Sequence, residues 1–145
     1  MPSDTPSPEK RVRDLMSAQV KTLTRNDEVL SADTLMRSER IRHVPILNES
    51  GELTGILSQR DLFLSGLLRA LGHGTAARDR TLGAMLVKEV MTSDVVTTTP
   101  ETPIREAAQV MVDRKIGCLP VLDGGRLVGL LSESDIVSAV ARGAL

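Results

Sequence analysis

The chain is almost devoid of aromatic side chains and of cysteine. Its 145 residues include one Phe, no Tyr, no Trp and a single cysteine, Cys118. Stacking platforms for single-stranded nucleic acid use aromatic rings, so that function loses support, as does sugar binding. One cysteine excludes an internal disulfide and a cysteine-based zinc cluster, and it is typical of a reducing compartment.

An excess of charge of one sign and long apolar runs are also absent. Lys and Arg number 18, Asp and Glu number 19, and the net charge is −1, so the basic face that DNA or RNA requires is not indicated. No apolar run approaches the roughly 20 residues that span a bilayer. The N-terminus is polar and proline-rich, without the apolar core of a signal peptide. We therefore expect a cytoplasmic chain with a disordered tail at residues 1–11 and neither a nucleic-acid nor a membrane partner.

The sequence does contain an internal repeat. Residues 12–47 recur 75 positions later, and after the loss of one residue residues 51–61 recur 74 positions later, with 16 identities in all. The repeat predicts two similar domains, copy one at residues 12–71 and copy two at 87–145, joined by a linker at 72–86.

Each copy predicts the order β-α-β-β-α. A short strand (Val20 to Thr24, or Val95 to Thr99) precedes a helix with apolar residues at helical spacing. We expect Asp27 to cap this helix in copy one and Thr102 to cap it in copy two. A hairpin with a Gly-containing turn and a second helix follow, and residues 81–86 suggest a short helix before copy two. The predicted fold is α/β (α+β), with small mixed sheets and the helices on one face.

Three motifs occur in the same order in both copies and resemble the cystathionine-beta-synthase (CBS) domain. They are V-[RK]-[DE]-[LV]-M at the start, I-x-x-[VL]-P-[IV]-L on the hairpin and G-[IL]-L-S-x-x-D at the end. The resemblance extends from about Val12 to Val140. It implies a tandem pair that packs as a pseudo-twofold (Bateman) module and pairs again as a homodimer. It also implies a site for an adenosine compound such as AMP, ADP or ATP, with no required cofactor.

The two Ser-x-x-Asp motifs are the sharpest site candidates. Ser58 with Asp61, and Ser132 with Asp135, match a helix capping box, which is a structural role. The same position also suits a ligand, because a helix N-terminus attracts phosphate and a carboxylate accepts hydrogen bonds from ribose hydroxyls. The resemblance implies that the Asp binds ribose and that the Ser lies near ribose or phosphate. The two roles are compatible.

The remaining candidate residues rest on the resemblance. It implies that the strand leading to the proline of the motif contacts the base and the phosphates, and that a residue of the first strand touches adenine or ribose. The candidates are Thr22, Thr97, Arg40, Arg42, His43, Pro45, Arg60, Cys118 and Pro120. Solvated charges, β-branched strand residues and a small buried cysteine are the structural alternatives. Gly117 and Cys118 replace Arg42 and His43 in copy two, so unequal sites are expected.

A stand-alone regulatory module is therefore the leading functional hypothesis. It would bind an adenosine nucleotide between its two repeats and signal to a regulated protein through a conformational or oligomeric change. S-adenosylmethionine, NAD and cyclic dinucleotides stay open as ligands, and so does a dimerisation module with vestigial sites. An enzyme is not expected, because the sequence has two histidines, no G-x-S-x-G, no P-loop and no His/Cys set at metal-ligand spacing.

Overall fold

The computed structural model describes residues 9–70 and 85–145, with the backbone alone for 65–70. The predicted linker, the short helix suggested at 81–86 and the predicted tail fall wholly or mainly outside these ranges. No helix in the described ranges is long and apolar enough to cross a bilayer. The elements in chain order are α1 (Val12–Leu15), β1 (Leu23–Thr24), α2 (Val29–Glu39), β2 (His43–Leu47), β3 (Leu53–Ser58), α3 (Gln59–Ala70), the 3₁₀ turn Val87–Glu89, α4 (Ile104–Arg114), β4 (Cys118–Asp123), β5 (Arg126–Ser132) and α5 (Glu133–Ala141).

The chain forms two compact units. The copy-one unit spans Gln19–Val95, and the copy-two unit joins the described residues 9–18 to Val96–Leu145. Each unit thus contains the sheet of one copy together with the segment that precedes the first strand of the other copy. We call residues 10–17 and 85–92 the two lead segments.

A small mixed sheet organises the copy-one unit, as the sequence predicts. Strand β1 pairs in parallel with β2, which pairs antiparallel with β3. Side chains from α2 and α3 pack with the core face of the sheet, where Val44, Ile46 and Leu57 are fully buried. The described core cluster also includes Val29, Ala32, Met36, Leu62, Met85 and Val87. The predicted strand Val20 to Thr24 is shorter in the structure, because only Leu23 and Thr24 pair with β2.

The copy-two unit repeats this arrangement with a still shorter first strand. Strands β4 and β5 form an antiparallel hairpin, and Thr98 makes one parallel bridge to Val121. That bridge is equivalent to the pairing of Leu23 with Ile46 in copy one. The predicted strand Val95 to Thr99 therefore reduces to Thr98, whose amide donates to the Pro120 carbonyl at 3.0 Å.

The hairpin turns explain the single-residue difference between the copies. In copy one the Asn48 side-chain oxygen accepts from the amides of Ser50 and Glu52, both at 2.9 Å, and Gly51 takes φ +80°. In copy two Gly124 and Gly125 both have positive φ, of +58° and +84°, which gives the tighter turn that Gly permits.

The predicted caps of α2 and α4 are wrong. Neither helix has a side-chain cap: the Asp27 carboxylate instead accepts from the Thr24 amide, and the Thr102 hydroxyl contacts the hydroxyl of Thr99. The first helical amides, of Val29 and Ile104, donate to backbone carbonyls of the lead segments. Val29 donates to Met85 at 2.8 Å, and Ile104 donates to Lys10 at 2.9 Å. A distant carbonyl satisfies the helix start, so no local capping side chain is required.

The lead segments also explain a glycine in each copy. A Cβ at Gly129 would lie 2.6 Å from the Met16 sulfur, and a Cβ at Gly55 would lie 2.6 Å from the Met91 sulfur. The methionine of one motif therefore fills the space that the glycine of another motif leaves open. Backbone pairs hold this contact: Ser17 with Leu130, and Thr92 with Ile56, exchange two 2.9 Å hydrogen bonds each. The contact joins the start motif of each copy to the sheet of the other.

Candidate functional site

Both Ser-x-x-Asp motifs form capping boxes. The Asp61 amide donates to the Ser58 hydroxyl at 3.0 Å, and the Ser58 amide donates to the Asp61 carboxylate, also at 3.0 Å. Ser132 and Asp135 make the same two bonds at 3.3 and 2.9 Å. All four residues are half-buried. The structural role predicted for these residues is confirmed, and in both boxes the carboxylate accepts the Ser amide through Oδ2.

Four candidate residues of copy one lie on the same face of its sheet. His43 and Ser58 are cross-strand partners, as are Pro45 and Ile56. Alternation puts these residues on the face opposite to the buried Val44 and Leu57. Thr22 precedes Leu23, which is partnered with Ile46, so Thr22 belongs to the same face at the end near Pro45. Thr22, His43, Pro45 and Ser58 thus share the sheet end at which α3 begins.

Copy two has the same arrangement with different chemistry. Cys118 is the cross-strand partner of Ser132, and Pro120 is the partner of Leu130. Thr97 precedes the bridging Thr98 and is exposed, like Thr22. Pro45 and Pro120 are fully buried, so either proline could serve a ligand only by shaping the strand or through its carbonyl.

The Cys118 thiol is buried and held in its neutral form. Burial is the larger cause and the charge of Asp135 the smaller, and together they raise the pKa of Cys118 to about 12. The thiolate is the reactive form of cysteine, so Cys118 is a poor nucleophile in the folded chain. The Asp135 carboxylate accepts from the amide of Ser132, the cross-strand partner of Cys118.

The basic candidates occupy helix ends and strand ends. Arg40 ends α2 in the left-handed conformation at φ 55°, and its repeat equivalent Lys115 ends α4 at φ 56°. Arg42 is exposed immediately before β2, and its carbonyl accepts from the Gln59 amide at 2.8 Å. Arg60 is exposed in the first turn of α3, where the helix dipole disfavours a cation.

Glu133 is a residue that the motifs missed. A Cβ at Gly117 would lie 3.0 Å from the Glu133 side-chain oxygen Oε1, so this carboxylate lies directly against Gly117 at the head of copy two. The Glu133 amide donates to the Gly117 carbonyl at 3.0 Å. The signal was present in the repeat, where Glu133 aligns with Gln59 and Gly117 aligns with Arg42.

Two open grooves lie away from the capping boxes. In the copy-one unit a groove runs between residues 24–26 and 47–50 and includes Lys88. In the copy-two unit another runs between residues 9–14 and 143–145, and two of its lining residues, Arg13 and Arg11, pair with Glu101 at 2.6 and 3.6 Å. Neither groove is lined by Asp61 or Asp135, so the predicted ligand residues belong to neither.

Comparison with known proteins bears on family and fold. Protein YhcV of Bacillus subtilis, a CBS domain-containing protein, is 32% identical over 125 residues, which are 86% of this chain and 81% of YhcV. The chain also matches homoserine O-acetyltransferases such as that of Methanohalophilus mahii, of which it spans about a quarter.

Solved structures agree with the sequence relatives. The Vibrio cholerae protein AcuB is 35% identical and superposes with a TM-score of 0.74, over 94% of this chain and 93% of AcuB. The CBS domain pair of protein MJ0100, solved in complex with 5′-methylthioadenosine and S-adenosyl-L-methionine, is 27% identical with a TM-score of 0.76. That match covers 95% of this chain and all of the MJ0100 pair. The CBS domain family itself matches twice, at residues 12–66 and 87–142, and the chain therefore belongs to the CBS domain family, of which it carries two domains.

Proposed function

We propose that this protein is a regulatory module that binds an adenosine compound at the helix starts bearing Asp61 and Asp135. The ligand would change the packing or the oligomeric state of the protein, and a regulated partner protein would respond to that change. A ligand can produce such a change only if it binds the two states with different affinity. The proposal assigns no catalytic chemistry to the chain.

The observation that carries the proposal is the geometry of the two capping boxes. Each aspartate binds its own helix start through Oδ2, so the box fixes the carboxylate in place. The other oxygen of a carboxylate can accept from the vicinal hydroxyls of a ribose. Thr22, His43 and Ser58 share this end of the copy-one sheet, and Thr97, Cys118 and Ser132 share it in copy two. Preorganised acceptors of this kind bind at low entropic cost.

The family supports an adenosine compound as the ligand class. The MJ0100 pair was solved with 5′-methylthioadenosine and S-adenosyl-L-methionine, both of which carry an adenosine. We therefore define the ligand class by its adenosyl group, with AMP, ADP and ATP as the nucleotide candidates. S-adenosylmethionine and NAD carry the same vicinal ribose hydroxyls, and cyclic dinucleotides keep the 2′-hydroxyl of each ribose.

An interaction module is the second candidate function. Phe63 on α3 and Val137 on α5 occupy equivalent repeat positions, and they are 62% and 66% exposed. Val140, one turn after Val137 on α5, is also 60% exposed, and adjoining exposed apolar side chains favour a protein partner, so the homodimer is the first assembly to test. The capping boxes are satisfied without any ligand, so their presence does not by itself require binding.

Thermal unfolding in the presence of ligand tests the proposal. A compound that binds only the folded chain stabilises it by about 2.7 kcal/mol at 100 times its Kd, which raises Tm by roughly 5–10 °C. The panel is AMP, ADP, ATP, S-adenosylmethionine, NAD and cyclic di-AMP. Asp61→Asn and Asp135→Asn should each reduce the shift, whereas Asp94→Asn, an exposed carboxylate outside the motifs, should not. No shift with any compound would overturn the proposal, and a dimer by light scattering would then support the second candidate.

A further inference from the structure

The two capping boxes are chemically alike, but the residues around them differ in charge. In copy one Arg42 immediately precedes β2, with its carbonyl bonded to the Gln59 amide, and Arg60 immediately precedes Asp61 in the first turn of α3, so both arginines belong to backbone segments that adjoin the capping box. Next to Asp135, the equivalent positions hold Gly117 and Ser134. Arg40 and Lys115 end equivalent helices in the two copies, both in the left-handed conformation. Both carry one positive charge, so this position does not contribute to the charge difference between the copies.

Glu133 makes the difference larger. Copy one has the neutral Gln59 at this position, whereas the Glu133 carboxylate of copy two lies against Gly117, 3.0 Å from where a Cβ would stand. The helix start of copy two therefore presents two carboxylates, Glu133 and Asp135, at the positions where copy one presents two arginines and one carboxylate. The glycine also removes the side chain that would otherwise separate the strand head from Glu133.

These charges favour different ligands. A helix N-terminus attracts an anion through its dipole and free amides, and Arg adds bidentate hydrogen bonds to phosphate oxygens. A cation in the first helical turn is unfavourable by itself, and an anion bound beside Arg60 offsets that cost. In copy two the carboxylates oppose a phosphate and suit the hydroxyls of an uncharged ribose or a cationic substituent.

We call the helix start with Asp61 and its flanking residues the Asp61 half-site, and the helix start with Asp135 and its flanking residues the Asp135 half-site. We propose that the two half-sites select their ligands by charge: the Asp61 half-site takes a 5′-phosphorylated adenosine, and the Asp135 half-site takes an adenosine without a 5′-phosphate. Glu133 is the specificity-determining residue of the second half-site. This inference rests on the proposed function, because both half-sites must bind an adenosine compound for the selection to operate.

Calorimetric titration of the full chain with adenosine and with AMP tests the selection. Asp61→Asn leaves the Asp135 half-site to be measured, and Asp135→Asn leaves the Asp61 half-site. The Asp61→Asn protein should bind adenosine at least as tightly as AMP, and the Asp135→Asn protein should prefer AMP by roughly threefold to tenfold. Because exposed charges are screened by salt, the second preference should shrink at 0.5 M NaCl.

The decisive variant is Glu133→Gln, which gives copy two the side chain of copy one. In the Asp61→Asn background it should shift the ratio of the two dissociation constants toward AMP by roughly threefold to tenfold. Gln59→Glu in the Asp135→Asn background is the matched reciprocal and should shift the ratio toward adenosine. If both ratios change by less than a factor of about 1.5, which is about 0.2 kcal/mol, while binding persists, the inference is overturned and the proposed function stands. If neither compound binds the wild-type chain, both fail together.

Discussion

Gly129→Ala should destabilise the protein, although alanine suits its backbone. Gly129 does not have a positive φ, so in an open strand the substitution would be neutral or favourable. Here the new methyl group would lie 2.6 Å from the Met16 sulfur and 3.0 Å from the Ser17 carbonyl oxygen. Met16 can move, but Ser17 is fixed by two 2.9 Å hydrogen bonds to Leu130.

The magnitude follows from these two contacts. Overpacking a filled site costs about 1–3 kcal/mol, and weakening the Ser17 pair adds about 1 kcal/mol. We therefore expect the free energy of unfolding to fall by about 2–4 kcal/mol. Urea denaturation followed by far-UV circular dichroism measures it, since a chain without Trp or Tyr offers no useful intrinsic fluorescence.

The Met16→Ala background isolates the steric cause. With the sulfur removed, Gly129→Ala should cost about 1–2 kcal/mol less than it does in the wild type, a coupling that a double-mutant cycle measures directly. Gly129→Ala within 0.5 kcal/mol of wild type, or an equal cost in both backgrounds, would refute the proposed contact between the lead segment and the copy-two sheet.

Two further predictions concern Cys118 and Lys115. Cys118 should react with a thiol reagent at pH 8 at least about 100-fold more slowly in the folded chain than in urea, because its raised pKa and burial suppress the thiolate. Below the pKa of a free thiol, about 8.5, the thiol is neutral in both the folded and the unfolded chain, and its full contribution to stability is present. As the pH rises from there toward about 12, the unfolded chain loses the thiol proton while the folded chain keeps it, so this contribution is lost. The urea midpoint of wild type should therefore fall faster than that of Cys118→Ala between pH 8 and 10. A labelling rate equal to that of the unfolded chain would contradict the buried position. Lys115→Gly should stabilise the chain by about 0.5 kcal/mol, because φ 56° costs a side chain more than it costs glycine. Lys115→Ala, which keeps the strain, should show no such gain in urea, and an equal gain from both would contradict the strain.

The repeat and its motifs predicted much of the fold, because local signals and tertiary packing agree there. The hairpins, the second helices and the Ser-x-x-Asp boxes occur at the predicted places. The helix starts at Val29 and Ile104 did not follow the prediction. The first amide of each helix donates to a backbone carbonyl far away in sequence. Every residue has a backbone carbonyl, so this kind of cap does not require a particular residue type and cannot be recognised from the sequence.

The exchange of lead segments could not be predicted from the sequence for a different reason. Met16 and Met91 are identical, and so are Gly55 and Gly129, so either methionine fits either glycine. Because the motifs of the two copies are alike, they do not tell whether a methionine packs against the glycine of its own copy or of the other copy. For the candidate site, the motifs drew attention to both aspartates but not to Glu133, because Glu133 departs from its repeat equivalent Gln59 instead of matching it.

The packing of each lead segment on the sheet of the other copy also affects folding during synthesis. Arg11 binds the Glu101 carbonyl 90 positions later, and the carbonyl of Lys10 caps the helix that starts at Ile104. During synthesis the first described residues must therefore wait until the second half of the chain has left the ribosome before they find their partners. Contacts of such sequence separation slow folding, so the packing of residues 10–17 onto the copy-two sheet is expected to be the last step.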